Sequence, residues 1–467
     1  MLWLLVSFAA CAVSLGVILA QLRKVDDAAT RFLCLAVWLR LTLGAFADYT
    51  APNLAAGLSI NAISTIGVIG AGWLLMEHRL LALRALAPVY FYLSVCIVSG
   101  VLNGGVTVLV PVLLNWAYML MLALLLYGAV TRHGCDRVLR LLFPAFALPV
   151  ALGLLSFLLG FGQVAENDGS VSYRGGYLHE SIYSVIAFTS LAIALLIKWR
   201  RAWLRYLFTG LVFAAIFVAN YRTSIIALAP VLVMLGYGAF TAMTPARFRV
   251  SVGIFAVIFS FVAATTLLDS LPDRYTDLLT LSQLENVDIT QPQELTDDER
   301  RLLSSRIYIW SRYINAYLDG GALQTLIGYG PGAWTRSATL ITHAHNNMIF
   351  DLYNIGLIGL AALLTLYGAV LAQAWRLRDR FYASNLIAVM LGFITMSLAT
   401  SPFNIVEGHI FYAVMVGVGA GVAAGFEADD AYGADADPKP DPEGDPASAS
   451  ASVAPAASAR SDRAARA

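Results

Sequence analysis

Residues 107–130 read TVLVPVLLNWAYMLMLALLLYGAV, without one charged side chain, and Thr131-Arg132-His133 follows at once. A helix needs about 17–25 largely apolar residues to cross a bilayer. Such a run must be helical, because lipid offers the backbone no hydrogen-bond partners. Working outward in both directions, similar runs recur at 2–20, 32–47, 53–76, 85–102, 139–162, 181–197, 203–219, 223–240, 250–268, 347–373, 383–400 and 408–426. The composition agrees: 59% of residues are hydrophobic and 13% charged, where a soluble domain carries about 25% charged. The expected fold is an all-α polytopic membrane protein with about 12–13 transmembrane helices and one large, mainly helical outer loop.

Charge sets the expected orientation. Alternate connections are basic: Arg23/Lys24/Arg31, Arg79/Arg84, Arg132/Arg137/Arg140, Lys198/Arg200/Arg201/Arg205, Arg247/Arg249 and Arg376/Arg378/Arg380. The short connections between them hold only Arg174 and Arg222. The positive-inside rule puts the basic set in the cytoplasm, the N-terminus outside and the C-terminus inside. The first run lacks a basic leader and a small-residue cleavage site, so it reads as a retained span. Four parts follow: a transmembrane bundle over 1–268, a large outer loop over 269–346, C-terminal spans over 347–426 and a tail over 427–467. The tail is rich in Ala, Asp, Pro and Ser and is expected to be disordered.

Net charge is zero, and no basic stripe with interleaved aromatics occurs, so nucleic acid is not an expected partner. Cys11, Cys34, Cys96 and Cys135 fall in spans or on the inner side, which implies no disulfide framework. Polar chemistry concentrates outside. His179, His343, His345 and His409 map there, whereas His78 and His133 sit in basic inner loops. Arg40 and Asp351 are the main charges inside spans. Such groups are costly and often functional; for Arg40 a snorkelling or bundle-facing structural pair is the equally weighted alternative.

The most informative stretch is His343-Ala-His345-Asn346-Asn347, followed after Met348–Ile355 by Gly356-Leu-Ile-Gly359. A long span begins here, so His345 lies at a helix N-terminus. The helix dipole disfavours imidazolium, which suits a general base, and free N–H groups there can hold an anion. Gly356 and Gly359, one turn apart, let another helix come close. The same residues also fit ordinary interfacial histidines, or a His-x-His metal site without completing ligands. In the loop, residues 299–318 place Leu303, Ile307, Trp310, Ile314 and Tyr317 on one helical face. Tyr308, Trp310, Tyr313 and Tyr317 suit a membrane interface. Arg300, Arg301, Arg306 and Arg312 offer planar forks for phosphate, or simply a solvated face. Gly328-Tyr-Gly330-Pro-Gly332 is turn-rich. Arg222, in the tight turn Asn220-Tyr-Arg-Thr-Ser, is well placed for a lipid diphosphate or a headgroup.

At these residues the sequence resembles the O-antigen ligase/O-antigen polymerase superfamily of bacterial envelope enzymes. His345-Asn346, nine residues, then Gly356 and Gly359 match the family's hallmark spacing. Ser305-Arg306 through Trp310, with Gly328-Tyr-Gly330, is similar to the loop pattern before it. Arg222 matches the arginine ahead of the large loop, although Ile226 stands where a leucine is usual. The resemblance covers roughly residues 205–375.

It implies a metal-independent, inverting glycosyltransferase without a cofactor, in the bacterial inner membrane with its active site facing the periplasm. The donor would be a polyprenyl-diphosphate-linked glycan, and the acceptor a glycan or lipid-linked sugar hydroxyl. Membrane lipids, and a chain-length regulator, are the other partners to expect. On this reading His345 is the base, and Arg222, Arg306, Asn346, His343 and Arg174 bind diphosphate or substrate. A polymerase is favoured over a ligase acting on lipid A core. A flippase for the same lipid-linked glycan is the rival class, but it would be expected to show midplane charges and internal repeats.

Overall fold

Apolar helices without a polar face have to be covered by lipid or by one another, and the fold sorts them between these two fates. The structure is a computed structural model that describes residues 1–55, 57–164, 171–249, 251–252, 288–301, 305–340 and 342–434. The helices are α1 (Leu2–Leu22), α2 (Ala28–Ala45), α3 (Ala47–Thr50), α4 (Ile60–Leu75), α5 (Ala87–Leu102), α6 (Val106–His133), α7 (Cys135–Leu158), α8 (Glu180–Leu196) and α9 (Ala202–Val218). They continue with α10 (Arg222–Ala227), α11 (Ala229–Met243), α12 (Asp297–Arg301), α13 (Arg306–Leu318), α14 (Ala322–Ile327), α15 (Asn347–Arg376), α16 (Arg380–Ser397) and α17 (Val406–Ala434). Among the described residues, strands are limited to two short antiparallel hairpins, Asn53–Ala55 with Leu58–Ser59 and Gln163–Val164 with Val171–Ser172.

The protein is an all-α polytopic membrane protein. Among the described residues, nine helices are long and apolar enough to cross a membrane. The shorter apolar helices α4, α8 and α9 fall on expected spans as well. The expected span at 250–268 lies outside the described residues, as do 269–287 of the expected loop and 435–467 of the tail. Helix α17 runs on to Ala434, past the expected boundary at 426.

Helix α17 is central: 83% of its apolar window is buried, against 22% in α1, whose Leu2, Leu5 and Val13 face outward. It lies against α6 because Gly417 and Gly421 carry no side chain. A Cβ on Gly417 would stand 2.8 Å from the Ala123 carbonyl oxygen. Such small-residue contacts drive packing where lipid is as apolar as the protein. Arg40 pairs with Glu407 at 2.7 Å inside the bundle, which settles it as a bundle-facing pair.

The connections gather at two ends. At one, the α1–α2, α6–α7, α8–α9 and α15–α16 connections touch: Arg132 meets Asp27 at 3.4 Å, Arg137 Nη2 donates to the Lys24 carbonyl at 3.0 Å, and Lys198 meets Asp379 at 2.6 Å. This is the basic end. At the other end, the α7–α8, α9–α10 and α16–α17 connections meet residues 305–346.

Two expectations need correction. Residues 299–318 are not one helix: the chain turns at Ser305 (φ 66°), and α13 begins afterwards. Its buried face carries Ile307, Ser311, Tyr313 and Tyr317, with Ile314 only half-buried and Leu303 outside the described residues. Tyr313 and Tyr317 can be buried because their hydroxyls donate to the carbonyls of Thr342 (3.0 Å) and Thr325 (2.8 Å). The span from 347 is also not continuous, because Gly356 breaks it at φ 71°, ψ −168°. A Cβ there would stand 2.3 Å from the Leu326 carbonyl oxygen, so this glycine does admit α14. Gly359 does not serve a helix crossing. Its missing side chain makes room for Ile355 of its own helix, which the break turns inward.

Gly328 ends α14 in the same conformation, φ 69° and ψ −165°. The two chain reversals share one seam. Tyr329 N–H donates to the Tyr353 carbonyl (3.1 Å) and Gly330 N–H to that of Asn354 (2.8 Å). Ser99 Oγ lies between the carbonyls of Ile327 (2.5 Å) and Asn354 (3.2 Å). Carbonyls freed by a break in a span thus find donors, as an apolar surrounding requires.

Candidate functional site

Backbone strain marks the place. Among the described residues three non-glycine residues have positive φ: Asn220 (58°), Ser305 (66°) and His345 (49°). Asn220 stands two residues before Arg222, Ser305 one before Arg306, and the third is His345 itself. A side chain in this region costs energy and persists only where neighbours over-determine it. Here the three strained points converge at one end of the bundle.

The His345 loop is fixed from several sides. Trp310 Nε1 donates to the Ala344 carbonyl at 2.9 Å. Asn346 caps α15, its Oδ1 accepting from the N–H groups of Met348 (2.9 Å) and Ile349 (3.2 Å). One turn on, Asp351 accepts from Tyr92 Oη (2.9 Å) and Asn347 Nδ2 (3.2 Å), tying the start of α15 to α5. His343 Nδ1 accepts the His345 N–H at 3.2 Å. Its Nε2 meets the side-chain amide of Asn404 from the α16–α17 connection. His343 also stacks on Phe350, ring centroids 4.3 Å apart. Both of its nitrogens are therefore engaged. Burial, and then His345, push its pKa down to about 3.

The His345 ring is half-buried and makes no hydrogen bond to a described residue. Its pKa falls to about 4, through burial first, then the positive charges of Arg306 and His179, with Glu180 pulling the other way. Arg306, the first residue of α13, donates from Nη1 to Thr223 Oγ1 at 2.8 Å and from Nη2 to Tyr221 Oη at 3.5 Å. Among the described residues it has no carboxylate partner. Arg222 lies between those two hydroxyl residues as the first residue of α10. Tyr221 Oη in turn donates to the Ala399 carbonyl at 3.2 Å.

Arg174 differs from Arg306. It pairs with Glu180 at 3.1 Å and bonds Gln163, so its charge is already answered. It comes from the segment 173–179, which Gly176 (φ 87°) lets close on α2; a Cβ there would stand 2.1 Å from the Ala45 carbonyl oxygen. The segment ends at His179, which caps α8 by accepting the Ser181 N–H at 3.1 Å.

The structure thus brings His345, His343, Asn346, Arg306 and the turn carrying Arg222 together, with Arg174 at the margin behind Glu180. His409 is apart, fully buried against Trp116 at a centroid distance of 4.8 Å. Sequence reasoning passed over Glu180, Tyr221 and Thr223. The signal for Glu180 was there: Gly175-Gly176 followed by His179-Glu180-Ser181 marks a tight turn into a helix start. Among the described residues no three His, Cys, Asp or Glu side chains gather as a metal-ligand group. Among the described residues the site offers an uncharged imidazole without a hydrogen-bond partner and, near enough to shift its pKa, a guanidinium without a carboxylate partner. No protein-family model and no curated protein matches this chain.

Proposed function

We propose that the protein is a membrane glycosyltransferase that moves glycan from a polyprenyl diphosphate carrier to a sugar hydroxyl. It would work in the bacterial inner membrane with this site facing the periplasm and the C-terminus in the cytoplasm. The carrying observation is an uncharged His345 ring without a hydrogen bond beside an Arg306 guanidinium without an acid, both among the described residues. The family resemblance of the same residues, and the gathering of basic connections at the opposite end, support it.

The chemistry balances without further reagents. The acceptor hydroxyl oxygen attacks the anomeric carbon from the face opposite the carrier. The bond from that carbon to the diphosphate oxygen breaks, and its electron pair leaves with the polyprenyl diphosphate. The hydroxyl proton passes to His345, and the anomeric centre inverts. Arg306, with Arg222 next to its two hydroxyl partners, would answer the charge growing on the leaving group. His343 and Asn346 would act through position: one fixes the strained His345 backbone, the other starts α15.

A polymerase, whose acceptor is another lipid-linked repeat, is favoured over a ligase. The test is purified protein in lipid with lipid-linked repeats, products resolved on glycan gels. Lengthened chains are expected, with none from His345→Ala at equal expression. Full activity in that variant would remove His345 from the reaction, and transfer only to lipid A core would make the protein a ligase.

A further inference from the structure

The basic end of the bundle carries a charge arrangement that the proposed reaction does not use. Every acid near the first two connections there is committed to another cation. Asp26 meets Arg31 at 3.8 Å and Asp27 meets Arg132 at 3.4 Å while capping α2. Asp136 holds Arg140 at 2.7 Å and the Lys198 N–H at 2.7 Å, and Asp379 holds the Lys198 amine at 2.6 Å. Lys24 and Arg137, like Arg23 beside them, have no ion pair among the described residues. They are not scattered. Arg137 Nη2 donates to the Lys24 carbonyl at 3.0 Å, which ties the two residues together.

Between them opens a groove of about 460 Å³ along α1 and α7. Val17, Ala20 and Leu141 line its apolar length, and Lys24 and Arg137 stand at its lip. Gln21 also lines it, and its side-chain oxygen is buried without a donor. Further along, Ser14 Oγ donates to the Pro144 carbonyl at 2.9 Å and joins the two helices. Arg137 sits in the first turn of α7, the positive end of a 24-residue helix dipole. The opposing α1 terminus has several of its last carbonyls answered by the N–H groups of Arg23, Lys24 and Val25. An anion at the lip therefore meets two cations, and an apolar chain attached to it meets the groove.

We infer that an anionic phospholipid binds here, its phosphate between Lys24 and Arg137 and one acyl chain against Val17, Ala20 and Leu141. The charge complementarity favours an anionic headgroup over a zwitterionic one, and the groove favours a lipid over a free anion. The inference rests on the membrane fold and holds whether or not the protein transfers glycan.

The test is native mass spectrometry of the full chain released from mixed micelles of phosphatidylglycerol and phosphatidylcholine. Phosphatidylglycerol should be retained over phosphatidylcholine, and excess inorganic phosphate should not displace it. Retention should fall about tenfold or more in K24Q/R137Q, the effect of two basic groups at a lipid phosphate. Ala20→Trp, which fills the groove and leaves both charges, should lower it as well. R200Q/R201Q, which removes two exposed charges at the same end outside the groove, should leave retention unchanged. Equal loss in R200Q/R201Q would reduce the effect to surface potential. Undiminished retention in K24Q/R137Q, displacement by inorganic phosphate, or no preference in the wild type would each overturn the site.

Discussion

Inorganic pyrophosphate should switch His345 towards its charged form. The ring now titrates at about 4, held down by burial and then by Arg306. Arg306 has two hydroxyl partners and no carboxylate among the described residues, so the proposed diphosphate would serve as its counter-ion. At an effective dielectric of about 20, a unit charge at a representative separation of about 8 Å is worth about 2 kcal/mol, or about 1.5 in pKa. A bound diphosphate cancels the Arg306 effect and adds its own negative charge, so the midpoint should rise to about 5.5 or above. At pH 5 the charged fraction would then go from about 10% to about 75%.

The base would thus gain proton affinity only once the leaving group is seated, which confines activation of the hydroxyl to the loaded site. Site-resolved acylation of imidazole, read by mass spectrometry across pH, measures the midpoint separately from any shielding of the ring. Arg306→Gln should raise the midpoint without pyrophosphate and abolish the response to it. If pyrophosphate binds and the midpoint stays at about 4, the two groups are not coupled.

Acid should destabilise the fold through the two loop histidines. Unfolding returns both rings to about 6.5, so the unfolded chain binds more protons below that pH. Stability should be complete above about 6.5 and fall towards pH 4, and His343→Gln should flatten that part of a melting curve. Gly356→Ala should lose at least about 2–3 kcal/mol, because its conformation is nearly confined to glycine and the added carbon meets Leu326; an unchanged melting temperature would contradict the described break. Arg40→Met should cost about 3–5 kcal/mol by leaving Glu407 buried and unpaired, while R40M/E407L should recover most of it in the same melts.

The spans were legible because a bilayer imposes a length that the chain writes out in full, as 107–130 shows. The helix start beside His345 was legible too, since the onset of a span is local, although the capping role of Asn346 went unread. The break at Gly356 was not. Its conformation is set by Gly328 and Leu326, which reach it only through the folded loop. The burial of Tyr313 rather than Ile314 depends on a carbonyl at Thr342, which no periodicity encodes. The Arg306 contacts with Thr223 and Tyr221 join residues about eighty apart, and only the tertiary fold supplies them. Arg174 read as a free cation because its partner Glu180 was not weighed.

The seam between Gly328 and Gly356 restricts how anything can reach His345. Residues 327–333 are stitched to the membrane helix by main-chain bonds and by Asn354, whose Oδ1 accepts the Ala333 N–H at 3.1 Å. That strip cannot swing aside without unpairing carbonyls in an apolar surrounding. If the protein handles a bulky carrier-borne sugar as proposed, any doorway for it must therefore open elsewhere than along this strip.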